Sequence, residues 1–285
     1  MRTLFTLFIA MIVLTSCQQG QGTEPALNPG MSYTFSNIAY GDDSAQRMDV
    51  YLPANRSQHE TPAMILVHGG GWTGGNKSEF NAYIEDFRKR MPHYAFFNVN
   101  YRLVNGSTVL LPQQQEDMAS VLRFVREQST RYGINPQKVV LLGASAGGHL
   151  ALLQAYQQAD PGIVAVVDFF GPTDLVAMAE KPWHPLVPLA LQTVLGKTYA
   201  EAPAAYRAAS PAWQVRAGVP PTLILQGGAD PVVHPAQSRA LAARLEGAGI
   251  PHELVLYPAA RHGWQGTTLH RSFDTVQRFL ELHVR

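Results

Sequence analysis

Apolar and polar positions change their period along this chain. At 33–40 and 47–52 they alternate, which predicts an opening pair of half-buried strands. Short, almost unbroken apolar runs follow at 63–68, 95–100, 138–143, 163–169, 222–227 and 252–257, the pattern of strands buried on both faces. Between most of them the apolar positions return with helical spacing. The stretch 112–132 opens on Pro112, carries Met118, Val121, Leu122 and Val125 on one face and stops at Gly133. Further helices are predicted over 146–156, 236–246 and 269–283. Strands alternating with helices predict an α/β class protein: a mostly parallel, eight-stranded sheet with helices on both faces, meeting ligands at the strands' carboxyl ends. The interval 173–218 interrupts the alternation with five prolines (Pro182, Pro185, Pro188, Pro203, Pro211) and two tryptophans (Trp183, Trp213). It predicts a small cap insertion, either roofing the sheet end or covering the scaffold as a helix pair.

Composition narrows the class without changing the architecture. A chain of 285 residues, 46% hydrophobic and 15% charged, can bury one large core, here assigned to a single domain over 32–285. With a formal net charge of +1 and no basic run, nothing draws it to nucleic acid. The first residues differ from the rest. Arg2 precedes an apolar run over 4–14 and then Thr15, Ser16 and Cys17. The run falls short of the roughly 20 residues a membrane span needs and reads as an export signal over 1–17. Residues 14–17 resemble the bacterial lipoprotein cleavage box, which implies a lipidated Cys17 and an exported protein held at a membrane. Cys17 is the single cysteine, so no disulfide competes for it. Gln, Gly, Pro and Asn dominate 18–31, the composition of a flexible tether.

The candidate chemistry sits where two predicted strands end. Val139, Val140, Leu141 and Leu142 run into Gly143, Ala144, Ser145, Ala146 and Gly147. A serine lifted from a strand end by a sharp turn needs small neighbours two positions away on each side, which Gly143 and Gly147 supply. The following helix would set its positive end beneath Ser145 and favour negative charge there. The earlier run ends in His68, Gly69, Gly70, Gly71 and Trp72. Three glycines let main-chain N–H groups approach an oxyanion, so Gly70, Gly71 and Ala146 are the expected donors.

With its HGGGW loop and GxSAGG turn, the chain resembles the α/β-hydrolase superfamily, specifically small bacterial esterases and lipases, from about residue 32 onward. Asn100, Tyr101, Arg102 and Leu103, the helix holding Asp117, and Gly171, Pro172, Thr173 and Asp174 support the likeness. The resemblance implies a nucleophile, an acid and a histidine in that order. Asp230 follows the run at 222–227 as the acid, and His262 follows the run at 252–257 as the base. A serine hydroxyl becomes nucleophilic when an imidazole takes its proton, and a carboxylate holds that imidazole in one tautomer. Trp72 and Trp264 are the expected walls of the substrate pocket. His68 and His149 are read as structural, and Asp168 and Asp174 as shaping the sheet end.

The implied activity is hydrolysis of short acyl esters through an acyl-enzyme, on a small-molecule or oligosaccharide ester such as an acetyl or feruloyl decoration. Arylformamidase-like amide hydrolysis and binding on an inactive scaffold are the rival readings. Other chemistry finds little support. Gly69, Gly71 and Gly74 fit a dinucleotide fingerprint, yet the strand at 95–100 ends without the acidic residue a ribose would need. Neither HExxH nor paired cysteines occur, so no cofactor and no metal are expected.

Overall fold

The computed structural model describes residues 25–158 and 160–284. The signal over 1–17, with Cys17, and the first part of the tether therefore lie outside the described residues. Eight strands form one sheet: β1 (Tyr33–Ala39), β2 (Arg47–Leu52), β3 (Ala63–Val67), β4 (Ala95–Val99), β5 (Val139–Ala144), β6 (Ile163–Phe169), β7 (Thr222–Gly227) and β8 (His252–Tyr257). Their order is β1-β2-β4-β3-β5-β6-β7-β8; β2 runs antiparallel to both of its neighbours, β1 and β4, and every pair from β4 to β8 is parallel.

Period-two alternation divides the core. Met64 and Leu66 of β3 face one side, packed with Phe87, Phe273, Val276 and Phe279, while Ile65 and Val67 face the other, with Val121, Leu122, Leu150 and Leu241. Each such side chain, fully buried, contributes about 1.5–3 kcal/mol. The first side is covered by α1 (Asn81–Arg90), a helix not named from the sequence. The second is covered by α2 (Leu111–Glu127), α3 (Ser129–Tyr132) and α4 (Ala146–Gln158). The helix expected over 112–132 is thus two segments parted at Gln128, and α3 turns Tyr132 into the core against Phe35 and Phe97.

The predicted cap consists of four short helices, α5 (Leu175–Glu180), α6 (Val187–Leu195), α7 (Pro203–Ala208) and α8 (Pro211–Gln214). Pro188, Pro203 and Pro211 stand in first turns, where a missing N–H costs nothing, so these prolines begin helices. The two architectures weighed for this interval both occur: α8 packs on α4, whereas α6 roofs the sheet's carboxyl end. Two further helices, α9 (Ala236–Gly247) and α10 (Gly266–His283), complete the second and first sides respectively.

Because β4 lies on one side of β3 and β5 on the other, the loops leaving β3 and β5 diverge to opposite faces. A crevice opens between them at the carboxyl ends. At the opposite pole, residues 25–31 lie against the domain rather than continuing as a tether. Leu27 N–H donates to Arg131 O at 3.0 Å, and the Arg56 guanidinium donates to the carbonyls of Asn28 and Met31. Among the described residues no helix is long and apolar enough to cross a membrane.

Candidate active site

Ser145 stands at the turn from β5 to α4 with a left-handed φ of 53°, its N–H donating to Phe169 O at 2.8 Å. A Cβ on Gly143 would overlap the Gly147 carbonyl, and one on Gly147 would overlap those of Val67 and His68. The turn closes because both positions lack one. Five non-glycine residues among those described have left-handed φ, and three of them, Trp72, Ser145 and Phe170, surround this crevice. Such backbone strain costs about 1–3 kcal/mol per residue and persists only where neighbours enforce it.

The loop after β8 brings His262 to the serine. Its Nε2 lies 2.9 Å from Ser145 Oγ and its Nδ1 2.8 Å from Asp230 Oδ2. An ionised carboxylate only accepts, so Nδ1 carries the proton and Nε2 is free to accept from the serine hydroxyl. The loops carrying acid and base touch along their main chains. Gly227, which ends β7, has no Cβ to push away the Ala260 and Arg261 carbonyls, and Ala229 N–H donates to Ala260 O at 2.9 Å.

Burial is the largest influence on Asp230 and pushes its pKa up. The His262 bond and the Val233 and Val232 N–H groups, at 3.0 and 2.8 Å from Oδ1, outweigh it, and the net shift is downward. Gln226 adds an Nε2 donor at 3.0 Å from Oδ2, and its own Oε1 is held by Ser238 Oγ at 2.8 Å. The sequence reading passed over this orienter, though a lone polar side chain late in the apolar run at 222–227 was a signal for it. Phe170 was also passed over: its ring meets the His262 imidazole edge-on, centroids 4.7 Å apart.

Gly70 and Gly71 carry positive φ values of 101° and 58°, and space is open where a Gly71 Cβ would stand. Gly71, Trp72 and Ser145 share one cavity of about 360 Å³ beneath α6. The N–H of Ala146 begins α4 beside the serine, at the positive end of that helix.

The other residues singled out from the sequence fall into place around these groups. Trp72 lines the cavity and donates its Nε1–H to His149 Nδ1 at 3.1 Å, while His149 Nε2 donates to Ala209 O at 2.8 Å. Burial lowers the His149 pKa to about 4, so the imidazole is neutral and ties the glycine loop to the cap. His68 stacks on Tyr101, centroids 4.2 Å apart, and Asp174 caps α5 through Ala177 N–H at 2.9 Å. Trp264 corrects the expectation of a pocket wall. The left-handed Gly263 precedes it, and its ring lies behind Phe170 in a separate cavity of about 140 Å³, with Nε1–H donating to Ser272 Oγ at 2.6 Å. Among the described residues no group of three or more His, Cys, Asp or Glu side chains could hold a metal ion.

Comparison with known proteins agrees with this architecture. The family described as BD-FAE matches residues 48–245. Esterase LipQ of Mycobacterium tuberculosis is 30% identical over 227 residues, 75% of this chain and 53% of that protein. Esterase LipC of the same organism is 26% identical over 80% of this chain and 59% of its own length. The chain thus spans about half the length of the curated relatives it matches. Among solved structures, a carbohydrate esterase from gut microbiota aligns with a TM-score of 0.73 at 23% identity, covering 90% of this chain and 99% of that one. A propionate-bound thermophilic esterase of Thermogutta terrifontis aligns with a TM-score of 0.70 at 25% identity, covering 89% and 94%. With the family match extending over more than half its length and the sheet order described above, the chain belongs to the BD-FAE family and has the α/β-hydrolase fold.

Proposed function

We propose that the protein is a serine carboxylesterase acting on short acyl esters. The observation that carries this reading is the continuous chain of hydrogen bonds from Ser145 Oγ through His262 to Asp230. Ser145 Oγ attacks the ester carbonyl carbon while His262 Nε2 takes its proton. The carbonyl oxygen becomes an oxyanion, received by the N–H groups of Gly70, Gly71 and Ala146. Collapse breaks the bond to the alcohol oxygen, which leaves with the proton from His262, and an acyl-serine remains. Water then attacks that acyl group, giving its proton to the same imidazole, and the second collapse frees the acid and restores the serine. Asp230 holds the ring in the tautomer that both halves require.

The names of the relatives support ester chemistry. A competing narrower reading, acetyl or feruloyl esters of polysaccharides, draws its support from a 110-residue stretch 33% identical to an acetylxylan esterase of Xylanibacter ruminicola. Export and anchoring through Cys17 belong to the same proposal, since they rest on the residues preceding Pro25.

Hydrolysis of p-nitrophenyl acetate by wild type and by Ser145→Ala tests the assignment. Activity is expected to fall by about 10⁴-fold or more, and a fluorophosphonate probe to label wild type alone. Equal activities would remove Ser145 as nucleophile, and faster turnover of N-formylkynurenine than of acetyl esters would move the reading to amide hydrolysis.

A further inference from the structure

The cavity above Ser145 is far larger than a two-carbon acyl group requires. We infer that the space beneath α6 receives an apolar limb of the substrate several carbons long, alkyl or simple aryl, in preference to a sugar; this rests on the esterase reading. At about 360 Å³ it falls within the range of pockets that enclose small organic ligands, about 300–1,000 Å³. Met178, Leu186, Val187, Leu191, Val232 and Val233 are the aliphatic and thioether side chains of its wall. Polar groups are few: Ser145 stands at the floor, His184 and the Trp183 indole on the cap, and the Trp72 indole N–H is spent on His149.

A glycan presents a hydroxyl on nearly every carbon. With only the Trp183 indole and the His184 ring at hand, most of them moved beneath α6 would leave water without gaining a partner, and that loss opposes binding. A methylene moved there gains instead. Leu186 and Val232 are more than half exposed, yet both line the cavity, so apolar surface continues to its mouth and would be covered by a bound chain. Leu191 is fully buried and fixes α6 from below, which keeps the apolar roof in place.

Two substrate series measured with the full chain test this inference: p-nitrophenyl esters from acetate to dodecanoate, and acetates of alcohols of rising length. In one of them kcat/KM is expected to rise up to about fourfold per added methylene until the cavity is full. The series that responds identifies whether the acyl or the alcohol limb lies under α6. Ala190 lines the cavity and is exposed, so Ala190→Phe removes space with little effect on folding and should move the optimum to shorter chains. Leu186→Ser should lower the octanoate-to-acetate ratio severalfold. Flat profiles in both series, or faster turnover of acetylated xylo-oligosaccharides than of octanoate esters, would overturn the inference while leaving a Ser145-dependent esterase intact. Loss of Ser145-dependent hydrolysis toward every ester would remove the underlying reading as well.

Discussion

Asp168 and Asp230 are both buried carboxyls at or just beyond strand ends, and their surroundings drive them in opposite directions. Asp230 receives enough donors to overcome its burial, so it stays ionised and its orienting bond persists until the pH falls below an already depressed value. Asp168 receives one, Gly171 N–H at 2.9 Å; its Oδ2 has no partner, and burial pushes its pKa up to about 7. A raised carboxyl pKa means that the folded state holds a proton the unfolded chain has released. Stability contributed at low pH is therefore lost as pH rises from about 4 to about 7, by up to roughly 4 kcal/mol. Asp168→Asn keeps the acceptor and removes the ionisation. Thermal melts should show the variant gaining on wild type between pH 5 and pH 8, and equal slopes in both proteins would refute this account of Asp168. In the sequence each follows an apolar run, and only the chain order implied by the family likeness set Asp230 apart as the acid. What separates them is the number of N–H groups that the fold aims at each.

At the scale of elements, the turn between β5 and α4 was legible because its requirement is local. A serine with left-handed φ between packed main chains admits only glycine at positions 143 and 147, and those glycines are visible in the sequence. Gly147→Ala would force a methyl group into the Val67 and His68 carbonyls. The predicted loss is about 3 kcal/mol or more, read as a lowered urea midpoint; an unchanged midpoint would mean that β3 and α4 do not approach as described. The cap was less legible. Its prolines mark helix starts as readily as loops, and only contact with α4 or with the crevice decides which segment covers scaffold and which covers Ser145. Trp264 departs from expectation for a related reason: it lies two positions from His262, but the left-handed Gly263 turns it behind Phe170, away from the cavity it was expected to wall.

At the scale of the whole molecule, the described chain begins at one pole and the catalytic groups gather at the other. Residues 25–31 lie beside Arg56 and α3, at the amino ends of the parallel strands, while Ser145, Asp230 and His262 stand beyond the carboxyl ends. Cys17→Ser should move the protein from the membrane fraction to the soluble one with kcat/KM on a soluble ester unchanged; membrane retention of the variant would eliminate Cys17 as the anchor.

What the sequence determined by itself is whatever a single segment can express. Apolar period placed the eight strands, and glycine spacing marked the serine turn and the glycine loop after β3. Its family likeness supplied the order in which acid and base follow. Only the tertiary structure decided that Gln226 and Phe170 support the triad, that Trp264 stands behind it, and that α6 encloses an apolar cavity. Most of those facts depend on which faces meet once distant segments have folded, as those bearing Phe170 and His262 do, and Ser145 meets His262 across 117 positions. No local period carries that information, because it resides in the packing of segments against one another.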